Sequence, residues 1–427
     1  MYKTILNLIL ILLFSLMVGC ETTSTEAGLT DAFIIMAYSG PPLEEVSLER
    51  YREVADAGID YLVPGNGTFS LEQNMKALDL AKEAGIKIIP LDMRLLPFAL
   101  KPDIAIDSAM VRQIALDYME HPALGAYFIR DEPGTGMYPA LKTISDLIAG
   151  VDPGHESLCC LFPTYGTLTQ FGVEDYRSYI RSFIDIVRPG LLAYDSYVLR
   201  NDTTLYKEWF KNLSIVREET RKAGIPFLVF MQSVGIKEGL RVPGRAEILW
   251  QVNTALAYGA RGVGWFNYWT PEPGMGLPHV EGATAPIIEH YYKGMIDREG
   301  NPTEVYQHVS EVNHYLKRVD KVLKDWELSD VSRWESGKQV EGKALFVKSA
   351  GGTPDIVIGT FRKDQEIRLV ISNASCEQAA TCSLEMIPGF EIASAIDSIN
   401  AGPGPDEGTL SSWEIKPGGA VILQVSM

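Results

Sequence analysis

From residue 32 to about residue 323, short apolar runs alternate with longer segments of mixed polarity. The short runs are rich in Ile, Val, Leu, Phe and Tyr, which favours buried strands. They begin near Phe33, Ile59, Ile86, Leu124, Ser157, Leu191, Pro226 and Gly262. The longer segments carry apolar residues at three- and four-residue intervals, a spacing typical of helices. It predicts helices over 46–57, 71–84, 104–120, 138–149, 173–187, 205–223, 245–258 and 303–323.

Eight strands that alternate with eight helices predict a (β/α)8 barrel. The structural alternative is an open, doubly wound sheet. That fold usually has fewer repeating units, and no glycine-rich phosphate loop follows the first apolar run here. We therefore assign residues 31–325 to an α/β TIM barrel.

The pattern of apolar and polar residues changes at about Trp326. Short alternating runs are then separated by Gly, Asn and Asp, which is typical of antiparallel strands joined by turns. Residues 326–427 are therefore predicted to form a small C-terminal antiparallel β-sandwich domain.

The first residues are typical of a targeting segment. Lys3 precedes an apolar run over residues 5–18, which is shorter than the roughly 20 residues that cross a bilayer as a helix. Small residues then precede Cys20, and this ending resembles the bacterial lipoprotein signal. The resemblance implies a signal peptide over 1–19, lipidation at Cys20, a tether over 20–30 and a lipid-anchored place in the bacterial cell envelope, at the periplasmic or surface face of the outer membrane. The alternative is an ordinary secretory signal with a chance cysteine.

Composition narrows the range of partners. The net charge is −17, whereas nucleic acids and anionic lipid surfaces select basic patches. We therefore expect no nucleic acid and no membrane contact other than the lipid anchor. No Cys or His spacing matches a zinc motif, so neither a metal nor a cofactor is expected. Cys376 and Cys382 are close enough in sequence for a disulfide, which the pattern allows but does not require.

Carboxylates follow the fourth and sixth predicted strands, and Asp92 follows the third, at the end where a barrel places its active site. The fourth run ends in Arg130-Asp131-Glu132-Pro133, and the sixth ends at Asp195. Adjacent carboxylates after a buried strand are costly unless they have partners or a function. Glycosidic cleavage needs a carboxylic acid to protonate the leaving oxygen and a second group at the anomeric centre. We predict Glu132 as general acid/base, with Asp131 or Asp195 as the second carboxylate. A helix-capping pair or a salt bridge with Arg130 is the structural alternative.

The other strand ends carry aromatic, amide and acidic residues. Aromatic planes suit the flat C–H faces of sugars, and amides or acids suit their hydroxyl groups. The predicted substrate-binding residues are Tyr38, Asn66, Asp92, Tyr197, Gln232, Trp265, Asn267 and Trp269.

These strand ends resemble those of glycoside hydrolase barrels. In the largest clan of these enzymes, a Glu after strand four is the acid/base and a Glu after strand seven is the nucleophile. Glu132 matches the first position, but Gln232 stands near the second and cannot be a nucleophile. The Asp131-Glu132 pair resembles that of the N-acetylhexosaminidases that use substrate-assisted catalysis. The resemblance implies that Glu132 is the general acid and that Asp131 orients the acetamido group of the substrate.

In the same resemblance, Tyr197 and Trp265 correspond to the Tyr and Trp of the hexosaminidase pocket. The Asp-Glu-Pro form is also similar to that of bacterial barrels acting on N-acetylgalactosamine. The chain is thus expected to be a glycoside hydrolase that cleaves O-glycosyl bonds in an extracellular glycan or oligosaccharide.

Two other classes of protein are alternatives to this hypothesis. A non-catalytic carbohydrate-binding lipoprotein on a degenerate barrel would keep the aromatic residues and tolerate the loss of Glu132. A metal-dependent amidohydrolase would need His pairs after strands one, five and six, and the sequence has none there.

Overall fold

A computed structural model describes residues 32–95, 97–98, 105–237, 239–271, 290–351, 355–401 and 412–427. The predicted signal peptide, tether and Cys20 lie outside the described residues. Within the described ranges, no helix is both long enough and apolar enough to span a membrane.

The N-terminal part is a (β/α)8 barrel. Its parallel strands are β1 (Ile34–Tyr38), β2 (Tyr61–Val63), β3 (Lys87–Ile88), β4 (Tyr127–Asp131), β5 (Ser157–Leu161), β6 (Leu192–Ser196), β7 (Phe227–Gln232) and β9 (Gly262–Phe266). They are ordered β3-β2-β1-β9-β7-β6-β5-β4, and a parallel bridge between Ile88 and Leu124 joins the two ends of this series. The predicted barrel is therefore confirmed, and each strand begins within three residues of the position that the apolar pattern gave.

Helices cover the outside of the barrel. They are α1 (Leu48–Asp56), α2 (Leu71–Ala84), α3 (Ser108–Tyr118), α4 (Tyr138–Ala149), α5 (Leu168–Phe171), α6 (Tyr176–Val187), α7 (Tyr206–Ala223), α8 (Arg245–Ala257) and α9 (Glu304–Leu323). Local sequence sets their ends. Ser70 begins α2 with a capping box to Gln73, and Gly85 ends it at φ 77°, a conformation that glycine adopts without strain.

Alternation along each strand sorts side chains into two layers. In β1, Ile34 and Met36 point into the barrel, whereas Ile35 and Ala37 pack against the helices. Gly264 lies at an inward position of β9, where a Cβ atom would approach the Phe230 ring to 2.3 Å. Glycine is therefore needed at this position to leave room for Phe230 inside the barrel.

The C-terminal domain is antiparallel, as predicted. Its strands are β11 (Glu327–Glu335), β12 (Lys338–Gly342), β13 (Val347–Gly351), β14 (Ile356–Lys363), β15 (Glu366–Asn373), β16 (Ala380–Met386), β17 (Glu391–Ala401) and β18 (Ser412–Ser426). The strand β18 pairs with β16 through its first residues, with β15 through its last residues, and with β17 along its length. The strands enclose an apolar interior that includes Trp334, Leu369 and Trp413.

Helix α8 lies between the barrel and this domain. Every residue from Ile248 to Ala257 is buried, because both sides of the helix are covered. Trp250 Nε1 donates to Ala374 O at 2.9 Å, and Asn253 Nδ2 donates to Gly418 O at 2.8 Å. A Cβ on Gly418 would meet Ala246 O at 2.1 Å, so the two parts approach as closely as backbone allows.

The four described cysteines are free. The sequence allowed a disulfide between Cys376 and Cys382, but the two side chains lie in different surroundings. Cys376 Sγ lies 3.0 Å from the Tyr206 hydroxyl, whereas Cys382 is buried in the interior of the β-domain.

A candidate active site at the carboxyl ends of strands four and six

A β-bulge sets the direction of the carboxylates at the end of β4. The register with β5 shifts between Phe128 and Arg130, so that Asp131 pairs with Cys160. Cys160 belongs to the cluster inside the barrel, and Asp131 therefore points to the same side. Simple alternation from Phe128 would have turned Asp131 toward the helices. Bulges of this kind re-aim side chains next to active sites.

Glu132 follows the bulge in a left-handed conformation, with φ 46°. Its backbone N–H donates to Cys160 O at 2.7 Å, which fixes the residue to β5 although it lies past the end of its own strand. A non-glycine residue at positive φ costs about 1–3 kcal/mol and tends to occur at functional sites.

Asp195 brings a third carboxylate from β6. Its neighbour Ala193 lies inside the barrel and Tyr194 lies among the helices, so alternation directs Asp195 inward. Asp195 is 6% exposed, and its Oδ1 has no hydrogen-bond partner among the described residues. The side chain of Tyr197 forms a hydrogen bond with this carboxyl group.

The three carboxyl groups titrate differently. Burial, and then the charge of Asp131, raises the pKa of Glu132 to about 8. Asp131 is exposed to solvent, but the surrounding protein still removes much of its hydration, and this desolvation raises its pKa to about 6. Burial, with the charges of Glu132 and Asp131, holds the pKa of Asp195 well above its usual range. At neutral pH, Glu132 therefore keeps its proton while Asp131 is ionised, and the charged form of Asp195 is disfavoured by its surroundings.

Arg130 is the cation closest to this acidic group in sequence. It lowers the pKa of both Asp131 and Glu132, but it forms no ion pair with either of them. The salt bridge with Arg130, one of the structural alternatives to a catalytic role, is therefore not among the ion pairs of the described residues. The carboxyl groups are left without a direct countercharge, which is costly for stability and useful for proton transfer.

Aromatic side chains surround the carboxyl groups. Phe266, at the end of β9, stacks on Tyr197 with ring centroids 5.2 Å apart, and it also contacts Tyr38 at 6.0 Å and Tyr291 at 5.8 Å. Tyr165 accepts a hydrogen bond from the Tyr197 backbone N–H at 2.6 Å and interacts electrostatically with Asp195. The site thus combines acidic groups with aromatic faces, as a sugar-binding cleft requires.

Two tryptophans that the sequence placed in this site face elsewhere. Trp265 is fully buried among the helices, where its Nε1 donates to Asn313 Oδ1 at 2.9 Å. Trp269 is also fully buried, and Arg50 stacks on its ring at 5.0 Å. Alternation along β9 is the reason for the first error, because Trp265 and the inward Phe266 are neighbours.

Other predicted binding residues have their polar atoms occupied. Asp92 accepts from Arg94 Nη2 and from the Tyr118 hydroxyl, each at 2.7 Å, on the helix side of the strand. The Gln232 amide is fully buried and bonds backbone groups of the loops after β6 and β7, including Leu199.

Asn66 and Asn267 are inaccessible as well. Asn66 Nδ2 donates to Gly40 O at 2.7 Å, and the residue occupies a turn at φ 46°. Asn267 is fully buried, and neither atom of its side-chain amide has a partner among the described residues. Of the eight predicted binding residues, Tyr38 interacts electrostatically with Asp131, and Tyr197 interacts with both Asp195 and Asp131.

Sequence reasoning missed Tyr165, Phe266 and Tyr291. Phe266 could have been found by counting alternate positions from Gly264, the position that must be small. Tyr291 follows the segment 272–289, which lies outside the described residues, and no periodic pattern marks it. Within the described ranges, no three His, Cys, Asp or Glu side chains are arranged to hold a metal ion.

No family model matches the chain, and no curated protein matches it. Solved structures do resemble it. A GH42 beta-galactosidase from G. stearothermophilus, a catalytic mutant, aligns with TM-score 0.57 and 10% identity over 94% of this chain and 100% of that one. A GH5_18 protein from Bifidobacterium longum, in complex with Manb1-4GlcNAc, aligns with TM-score 0.49 and 12% identity over 66% and 78%.

A beta-galactosidase from the psychrophilic Marinomonas ef1 aligns with TM-score 0.48 and 12% identity. The alignment covers 68% of this chain and 60% of that one, so this chain spans less than two thirds of that relative. At such identities, the likeness to the GH42 structure establishes a shared fold and nothing finer.

Proposed function

We propose that this protein is a glycoside hydrolase in which Glu132 is the general acid/base. The observation that carries the proposal is the pair of adjacent carboxyl groups with opposite protonation at neutral pH. Glu132 holds a proton because burial and Asp131 raise its pKa to about 8, whereas Asp131, with a pKa of about 6, is ionised. Glycosidic cleavage needs one group of each kind.

In the proposed reaction, Glu132 gives its proton to the glycosidic oxygen as the bond to the anomeric carbon breaks. The ionised Asp131 stabilises the positive charge that develops there, either directly or by orienting an acetamido group that attacks the same carbon. Water then attacks the anomeric carbon, and Glu132 recovers a proton from it.

Asp131 is the better candidate for the second carboxylate. Asp195 is 6% exposed, and its pKa is held well above the usual range by burial and by the two neighbouring acids. Burial and the neighbouring acids thus disfavour the charged form of Asp195, which a nucleophile or charge stabiliser needs. We propose that Asp195 has a structural role beside Asp131 and Glu132, where its hydrogen bond with Tyr197 holds that side chain in place.

The substrate we propose is an extracellular glycan or oligosaccharide with a neutral or N-acetylated sugar at the cleavage point. The negative charge of the ionised Asp131 would repel an anionic sugar. The tyrosines around Phe266 offer flat faces for a pyranose ring. The GH42 structure that resembles this chain is a beta-galactosidase, and that activity is consistent with the proposed class of substrate.

The test is a comparison of wild type with Glu132→Gln on glycosides of graded leaving-group quality. The variant keeps the shape of the side chain and removes its proton. Turnover of unactivated glycosides is expected to fall about 10²–10⁴-fold. Turnover of a glycoside with a very good leaving group should fall much less, because such a group departs without protonation.

Full activity of Glu132→Gln on a natural glycan would contradict the assignment. A carbohydrate-binding protein without catalysis would give a different result: no turnover by the wild type, together with glycan affinity that survives Glu132→Gln.

We also propose that the protein is anchored to the cell envelope through a lipid on Cys20. The support comes from the sequence alone: an apolar run over residues 5–18 is followed by small residues immediately before Cys20. Cys20→Ala should move the protein to a soluble fraction or block its processing. A variant that stays membrane-bound with normal processing would exclude this anchor.

A further inference from the structure

Tyr291 lies within the aromatic group around the carboxylates, although it is far from them in sequence. Its ring meets Phe266 edge-on, with centroids 5.8 Å apart and planes at 71°. Phe266 also contacts Tyr38 and Tyr197, so the three tyrosines share one central ring. Tyr291 therefore packs against the same ring that contacts Tyr38 and Tyr197.

Backbone pairing holds Tyr291 in place. It belongs to β10 (Tyr291–Tyr292), which pairs antiparallel with β8 (Gly235–Ile236) in the loop after β7. Lys237 N–H donates to His290 O at 3.0 Å, and Arg298 Nη2 donates to Tyr291 O at 3.1 Å. The side chain is thus presented from a fixed ladder at the mouth of the barrel.

Tyr292 provides an internal contrast. Neighbouring residues of a strand point to opposite sides. The Tyr292 ring packs over Gly235, where a Cβ atom would approach its Cζ to 2.6 Å. Tyr292 therefore fixes the ladder, and Tyr291 faces the carboxyl groups.

The hydroxyl group of Tyr291 makes no hydrogen bond to a described residue, while Asp131, Glu132 and Asp195 all interact with it electrostatically. Burial and these three acids raise the pKa of Tyr291 to about 12, so the phenol stays protonated. A phenol that stays protonated and has no acceptor among the described residues is a hydrogen-bond donor available to a ligand.

We propose that Tyr291 is a further catalytic residue, whose hydroxyl group donates a hydrogen bond to an oxygen of the sugar bound over Asp131 and Glu132. This inference rests on the proposed glycosidase function. The bond would hold the sugar ring in register with the proton of Glu132, and a small displacement of the reacting atoms is costly in rate.

The test pairs Tyr291→Phe with Tyr292→Phe, which removes the same atom from the other side of the ladder. Tyr291→Phe should lower kcat/KM about 10–100-fold on a glycoside that the wild type cleaves, as expected for one lost hydrogen bond to substrate. Tyr292→Phe should stay within about twofold of wild type. Thermal midpoints of both variants should match that of wild type.

Monodeoxy substrates, which each lack one sugar hydroxyl group, distinguish a hydrogen bond to the substrate from a purely structural role of Tyr291. One deoxy position should slow the wild type as much as Tyr291→Phe does. The variant should lose nothing further on that substrate, because both changes remove the same bond. Independent, multiplying losses at every deoxy position would overturn the proposal, as would Tyr291→Phe with wild-type kinetics.

Different results would contradict the role of Tyr291 and the glycosidase function. An active wild type with an unaffected Tyr291→Phe contradicts this inference alone. A wild type that binds glycans without cleaving them contradicts the glycosidase; Tyr291 is then decided by affinity, which the Phe variant should weaken about 10–100-fold. A wild type that neither binds nor cleaves any glycan in a broad screen contradicts both.

Discussion

Asp92 and Asp131 follow neighbouring strands of the barrel, yet their surroundings differ completely. Asp92 is 3% exposed and is neutralised by Arg94, with a further hydrogen bond from the Tyr118 hydroxyl. Asp131 has Glu132 beside it and no ion pair, and its pKa is raised to about 6 by desolvation. The charge of Asp92 is neutralised by Arg94, whereas the charge of Asp131 remains available to a bound ligand.

The difference shows that, at the same end of a barrel, outward side chains can find stabilising partners while inward side chains form a cluster without them. Side chains that alternation directs outward meet helices, where partners such as Tyr118 are available. Side chains directed inward meet one another, and at the end of β4 the bulge after Phe128 adds one more carboxylate to that group. Clustered acids cost stability, and such a cost persists where function requires it.

The largest expected effect comes from exchanging the two carboxylates for amides. Asp131→Asn should lower turnover at least about 10²-fold, because it removes the ionised group opposite the proton of Glu132. Its thermal midpoint should be unchanged or higher. Asp92→Asn should instead lower the free energy of unfolding by about 2–3 kcal/mol, since Arg94 loses a charged partner.

Steady-state kinetics and denaturant unfolding of both variants check this pair. An Asp92→Asn variant that folds normally but loses turnover as severely as Asp131→Asn would show that the two sites are not separate.

The pH dependence of kcat/KM should be bell-shaped. In the proposed reaction, activity requires Asp131 without its proton and Glu132 with its proton, so it should fall below about pH 6 and above about pH 8, nearly tenfold per unit at the extremes. The two limbs belong to the coupled pair. Glu132→Gln should remove the alkaline limb. A wild-type profile that is flat from pH 5 to pH 9 would contradict the assignment.

A smaller contrast is expected between neighbouring residues of β9. Phe266→Ala removes the ring shared by three tyrosines and should raise KM about tenfold. Trp265→Phe should leave KM unchanged and cost about 1–3 kcal/mol of stability, because Asn313 loses its buried partner. A raised KM in Trp265→Phe would place that residue in the site after all.

A further effect is expected on stability as a function of pH. Glu132 binds its proton up to about pH 8 in the folded protein, but only to about pH 4.3 when unfolded. The folded state therefore binds more protons across this interval, and the free energy of unfolding falls as pH rises through it. Glu132→Gln should gain thermal stability relative to wild type between pH 5 and pH 8. A constant difference across that interval would contradict the raised pKa.

The sequence predicted the barrel well because strand and helix periodicities are local. The helix predicted over 138–149 is α4, and the one over 71–84 is α2. Helix α8 was predicted as amphipathic but is buried on all sides, because its second covering comes from strands more than 100 residues later.

The site was predicted in part. Asp131, Glu132 and Asp195 meet because strand ends converge in a barrel. The sequence did not reveal the side on which each residue lies. The bulge in β4 depends on pairing with β5, and the outward direction of Asp92 and Trp265 depends on counting alternation from core positions. Tyr291 reaches the site through the β8–β10 ladder, a long-range pairing that two-residue strands do not signal.

The central claim is that Glu132 carries a proton at neutral pH because Asp131 and burial hold it there. The most direct test is a pH titration by infrared difference spectroscopy, in which a protonated carboxyl gives a C=O stretch that a carboxylate lacks. The wild type should show such a band at pH 7 that disappears with an apparent pKa of about 8 and is missing in Glu132→Gln. A wild-type spectrum at pH 7 identical to that of Glu132→Gln in this region would contradict the account.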